Sequence, residues 1–241
     1  MAMTFPIALP HDLPREIADN VFVVQGCVKP NAAVRFTRNM VVIRDGQCLT
    51  LINPVRMDES GLAALDRLGK MEHLIRLGPM HGMDDPFYMD RYKTCFWSFG
   101  DHKTFTEPAV SDELSASSVL PFADASLFVF SHMKETEGAI LLNKGPGLLV
   151  TCDAIQSYAT APYTPHTNAF TRLMMPIIGF PRKTLIGPVW VKLLVEDVEG
   201  IKLEFQRLMT LDFDQLIAAH GTFLKAGAKE EVQRAYDKMF G

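Results

Sequence analysis

The sequence predicts a single layered α/β (α+β) domain. Short β-rich runs recur in both halves of the chain, tight glycine turns join two pairs of them, and a strand–helix–strand unit lies in the first half. With 241 residues, 48% of them hydrophobic, the chain can bury a full core.

Taken in order, Val21 to Val24 form the first β-rich run, and 40–43 and 48–52 the next two. The turn Arg44-Asp45-Gly46-Gln47 joins the latter pair, because Asp-Gly supplies the positive φ that a tight hairpin needs. Asp58-Glu59-Ser60 opens a helix that carries Leu62, Leu65 and Leu68 on one face and ends at Gly69. The run MEHLIRLGP reads as a strand leading into PMHGMDDPFY, followed by a short helix at 89–92 and a strand at 95–99.

The second half repeats the style. Strands are expected at 125–131, 138–143 and 148–152, the last two joined by Lys144-Gly145-Pro146-Gly147. Residues 159–188 are rich in Pro, Met and Thr and lack a regular period. Helices follow at 195–208 and 229–240, separated by the run DQLIAAHG.

Composition excludes several classes. The net charge of −4 and the absence of a Lys/Arg-rich run give no footing for a nucleic-acid partner. Cys27, Cys48, Cys95 and Cys152 are widely spaced, as expected of reduced, buried thiols. The first residues lack the basic start of a signal peptide, and the longest apolar region is broken by Arg182, Lys183 and prolines. A cytoplasmic protein with a small-molecule substrate and no membrane partner is therefore expected, with a homodimer as an option.

Polar residues that directly follow strand-like runs are His81, Asp85, His132, Asp153 and His220. If those strands lie side by side, their ends share one rim, where imidazoles and carboxylates can hold Zn, Fe or Mn. Each also has a plainer role. His81 and His132 suit loops, Asp153 could cap a helix at 154–158, and His220 could pack on the last helix. Asp84 suits a turn, Glu135 and Glu137 suit a solvated loop, and His11, His73, His102 and His166 read as surface groups.

The order of these features resembles the metallo-β-lactamase fold superfamily over nearly the whole chain. The resemblance implies a four-layer αββα sandwich spanning residues 1–241. The family's central motif, His-x-His-x-Asp-His, matches His81, Gly82, Met83, Asp84, Asp85 and Pro86. Met83 and Pro86 replace the second and third histidines, and neither is a useful ligand for Zn(II).

The resemblance further implies His132 and Asp153 beside His81 at a first metal, and Asp85, Asp153 and His220 at a second. A single divalent ion, Zn or Fe, is expected, with Asp85 free to orient a water or accept its proton. A hydrolase of an ester, thioester, lactone, amide or phosphoester follows from that picture. A non-catalytic protein that keeps the fold to bind a ligand or to assemble is the alternative.

Overall fold

The computed structural model describes residues 5–158, 166–181 and 183–241. Seven strands form the first sheet, in chain order: β1 (Arg15–Ala18), β2 (Val21–Val28), β3 (Phe36–Asp45), β4 (Cys48–Ile52), β5 (Lys70–Ile75), β6 (Cys95–Ser98) and β7 (Asp112–Glu113). β3 and β4 form the expected hairpin, with Asp45 opposite Cys48 and Gly46 at φ +61° in the turn. From β4 onward the strands run parallel. α1 (Glu59–Asp66) crosses from β4 to β5, and α2 (Asp85–Tyr92) from β5 to β6.

The second sheet is built from β8 (Ala125–Phe130), β9 (Glu137–Leu142) and β10 (Leu148–Thr151), with β13 (Gln215–Ala218) added parallel to β10. Between them in sequence lie β11 (Ile155–Ser157), α3 (Ala169–Met174), β12 (Thr184–Ile186), α4 (Pro188–Leu194) and α5 (Val198–Leu208). β11 and β12 pair with each other, and α6 (Ala228–Phe240) ends the chain.

Strand alternation explains how the layers stack. Val21 and Val23 join Ile140, Leu142, Leu148, Val150 and Ile217 in the apolar layer between the two sheets. Their neighbours Phe22 and Val24 point the other way, onto Leu62 and Leu65 of α1 and Phe87 and Tyr88 of α2. Leu141, Leu149 and Leu216 likewise face Trp190, Phe205 and Val232 of α4, α5 and α6. Three apolar layers separate four structural ones, so the order is helix, sheet, sheet, helix.

Several boundaries differ from the sequence expectation. α2 starts at Asp85 rather than at 89, because Pro86 sits in the first helical turn, where its missing N–H is not needed. α5 starts at Val198 rather than at 195, since the Asp197 carboxylate accepts a hydrogen bond from the Gly200 N–H and fixes the helix start there. Asp153 caps no helix, for the residues after it form β11. The irregular stretch contains α3, β12 and the start of α4, while its portion at 159–165 lies outside the described residues.

Candidate metal centre

The parallel pairing of β10 and β13 sets the first half of the site. Thr151 lies opposite Ala218, so Asp153 and His220, each two residues further on, leave the same sheet edge together. β3 of the other sheet locks this edge in place. The Asn39 N–H donates to the Ala219 carbonyl, and the Asn39 side chain donates to the carbonyls of Ala218 and Gly221. Gly221 has φ +96°, and a Cβ there would stand 1.9 Å from the Ser157 oxygen, so only glycine permits the bend that aims His220.

His81 arrives from the first sheet, in the loop after β5. The Gly138 N–H donates to the Leu77 carbonyl and ties that loop to β9. The result is a buried triangle. His81 Nε2 is 3.2 Å from His220 Nε2 and 3.3 Å from Asp153 Oδ2, while His220 Nε2 is 3.2 Å from Asp153 Oδ1.

This spacing suits one ion. Donors at about 2.0–2.1 Å from a tetrahedral Zn(II) lie about 3.3 Å from one another. His220 Nδ1 lies 2.8 Å from the Thr37 carbonyl; donating its hydrogen there leaves the Nε2 lone pair turned inward. Burial alone would raise the Asp153 carboxyl, but His81 and His220 outweigh it and hold the group well below the usual carboxylate range. Burial pushes the His81 imidazolium the other way, down to about 4, against the pull of Asp153. An ionised carboxylate and neutral imidazoles are the protonation states a divalent ion takes.

Of the other residues the sequence brought forward, two stand apart from the triangle. Asp85 is buried, but its Oδ2 is held at 2.6 Å by Arg76 Nε. Arg76 also donates to the carbonyls of Phe105 and Glu107, so Asp85 anchors a cation that ties a distant loop to α2. His132 is half-exposed, and its Nδ1 lies 2.9 Å from a Glu204 oxygen on α5. Among the described residues, neither belongs to a group that could share an ion with His81.

Other expectations also shift. Asp84 is buried, not a surface turn residue, and accepts from Arg38 Nη1 at 3.0 Å and from the Arg56 N–H. His102 and His166 are buried too, with His102 between Ser98 and the Thr136 carbonyl and His166 against Asp12.

Glu137 is fully buried at the start of β9 rather than solvated, with Oε1 accepting from the Ala154 N–H at 2.6 Å. It lies with Cys152 and Asp153 in a second close group of possible donors. Burial, reinforced by Asp153, pushes the Glu137 carboxyl well above its ordinary range, and burial with Glu137 does the same to the Cys152 thiol. Both groups therefore favour their protonated forms, which makes this group the poorer cradle for a cation.

Arg38 is the residue that sequence reasoning missed. It is buried in β3, with Nη2 donating to the Pro54 carbonyl and standing 3.5 Å from His81 Nδ1. An arginine directly ahead of the apolar run MVVI in one strand, RFTRNMVVI, was the available signal, since a buried guanidinium needs designated partners.

The triangle forms the floor of a cleft of about 290 Å³. Arg38 and Gln156 stand beside it, and Phe36, Met80, Met175, Ile178, Phe180 and Val189 make much of the wall. The Gln156 amide lies 3.3 Å from Asp153 Oδ1, and its carbonyl accepts from the Tyr158 hydroxyl.

No protein-family model matches the chain, and no curated protein matches it. Solved structures do match over nearly the full length. The chain is similar to the metallo-β-lactamase TMB-1 at 10% identity, covering 95% of this chain and 98% of that one, with a TM-score of 0.64. A metallo-β-lactamase from Erythrobacter litoralis matches at 10% identity over 93% of this chain and 90% of its own, with a TM-score of 0.58. FIM-1 from Pseudomonas aeruginosa, solved in a mono-zinc form, matches at 11% identity over 97% of each chain, again at 0.58.

Proposed function

We propose that this chain, which has the metallo-β-lactamase fold, is a hydrolase whose site holds one divalent ion on His81, Asp153 and His220. The close approach of the two imidazole Nε2 atoms to each other, 3.2 Å, and of each to one oxygen of the Asp153 carboxylate, 3.3 and 3.2 Å, carries the proposal. Two imidazoles and a carboxylate form a donor set suited to Zn(II) or Fe(II) that leaves positions for water. When bound, such an ion lowers the pKa of a coordinated water toward about 7, supplying hydroxide at neutral pH.

The chain's own groups then have separate tasks. Asp153 places a full negative charge in a buried setting, and His220 is oriented through the Thr37 carbonyl. Gln156 holds the Asp153 carboxylate in position. Arg38, whose charge is balanced by Asp84, lines the cleft wall, where its guanidinium can offer a hydrogen-bond donor to a substrate oxygen. The apolar walls select a lipophilic acyl group over a strongly charged one. Asp85 has no part in the chemistry; its carboxylate serves Arg76.

Metal analysis of protein purified without added metal or chelator tests this. About one equivalent of Zn or Fe is expected, lost on His81→Ala or His220→Ala and kept on His132→Ala. A series of p-nitrophenyl esters should show rates that rise with acyl length. Protein that is metal-free as purified and takes up no Zn(II), Fe(II) or Mn(II) would overturn the assignment.

Arg38 favours a second reading. A guanidinium can only donate, so in hydrogen bonding to His81 Nδ1 it directs the imidazole hydrogen to Nε2, facing Asp153. The triangle is then a hydrogen-bonded network without an ion, and the cleft binds a lipophilic ligand without cleaving it. The ¹⁵N shifts of His81 separate the two: Nε2 protonated at neutral pH in protein given excess Zn(II) supports the binding protein.

A further inference from the structure

Around the mouth of the cleft lies a surface of unusual composition. α3 and the turn after it expose Phe170, Leu173, Ile177 and Ile178, at 51%, 70%, 73% and 58%. Phe170 and Leu173 share one face of α3 that is turned outward, and Ile177 in the following turn is exposed with them. α4 adds Val189 and Leu193, one turn apart and exposed at 43% and 50%. The two elements adjoin, for a Cβ on Gly179 would lie 3.7 Å from the Pro188 ring. Ile178 and Val189 belong both to this surface and to the cleft wall, so the patch and the cleft mouth are continuous.

Charge says what such a surface fits. The chain has 28 acidic residues, yet none lies between Asp153 and Glu196, where Arg172, Arg182, Lys183 and Lys192 occur. Lys183 and Lys192 are exposed, and Lys134 joins them by donating to the Leu193 carbonyl. In a protein of net charge −4, the segment that carries the apolar patch thus holds basic residues and no acidic ones. Apolar side chains with basic neighbours and no acids are the pattern that anionic lipid surfaces attract. A second copy of the chain is a poorer match, because a two-fold pairing through α3 and α4 would bring two segments of the same positive sign together.

We propose that α3, the turn after it and α4 form a docking face for anionic membrane surfaces, with Phe170, Leu173, Ile177 and Leu193 entering the headgroup region and Lys183 and Lys192 pairing with lipid charge. No helix among the described residues is long and apolar enough to cross a membrane, so the attachment is peripheral and reversible. It departs from the sequence expectation of no membrane partner, which weighed only a spanning segment. Docking does not require the ion at His81, so it stands or falls separately from the hydrolase assignment.

Co-sedimentation of the full chain with vesicles tests it. Phosphatidylcholine vesicles should bind weakly and vesicles containing phosphatidylserine strongly, with binding that falls as salt rises. The double variant Lys183→Glu/Lys192→Glu should lose about tenfold or more of the partition to anionic vesicles. Leu173→Ser/Ile177→Ser should abolish it while the circular dichroism and melting curve stay unchanged, as both side chains are already solvent-exposed. Equal partition of both variants and the parent, or no binding to either vesicle, would overturn the proposal. So would a dimer in light scattering that Leu173→Ser/Ile177→Ser dissociates without any vesicle binding by the parent.

Discussion

Asp85 and Arg76 show how a carboxylate placed like a metal ligand can instead be taken up by a buried cation. Asp85 sits where the family motif has its aspartate, but a buried guanidinium holds it at 2.6 Å. Burial pushes its carboxyl up and Arg76 opposes that push, so the pair is stable only together. Asp85→Ala is expected to cost about 3–5 kcal/mol, read by urea denaturation, because it leaves Arg76 charged and unpaired. Metal content per folded protein should not change; loss of the ion in that variant would restore Asp85 to the site. The neighbouring letters gave no hint of the pairing, since Arg76 and Asp85 are nine positions apart and each looks ordinary.

At the scale of elements, the rim is made by turns that only certain residues permit. His220 points into the triangle because the turn after β13 carries a left-handed glycine, Gly221, pressed against β11. Gly221→Ala is expected to cost more than the roughly 1–3 kcal/mol of backbone strain alone, because the added carbon also meets the Ser157 oxygen. The variant should unfold at lower denaturant and load less metal than the parent at equal folded fraction. By contrast, α1 depends on local chemistry: Asp58 accepts from the Gly61 N–H, and Asp58→Ala should lower the thermal or urea midpoint through the lost cap without touching metal content. Hairpins and helices of this local kind were legible in the letters. The α2 start was not, because the Asp-Pro that looked like a turn serves equally well as a first helical turn.

Across the whole molecule, the candidate site joins the two sheets. His81 comes from the seven-stranded sheet, whereas Asp153 and His220 come from the four-stranded one. An ion on all three would cross-link the layers, and binding to the native state alone stabilises by about 2.7 kcal/mol at a hundredfold excess over Kd. Chelator should therefore lower the Tm of the parent and leave that of His220→Ala unmoved. Equal melting of the parent with and without chelator, after metal is shown to be present, would place the ion elsewhere.

The sequence by itself determined the layered α/β class and both glycine hairpins, and brought His81, Asp153 and His220 forward as candidate donors. These depend on period, turn chemistry and order along the chain, which are local properties. Only the tertiary structure decided that His81, Asp153 and His220 meet while His132 turns to Glu204 and Asp85 to Arg76. Strand ends fix where a side chain begins, but its partner is chosen among groups dozens or hundreds of residues away. That choice depends on sheet register and on which buried charge most needs neutralising, and neither is written in any short stretch of the chain.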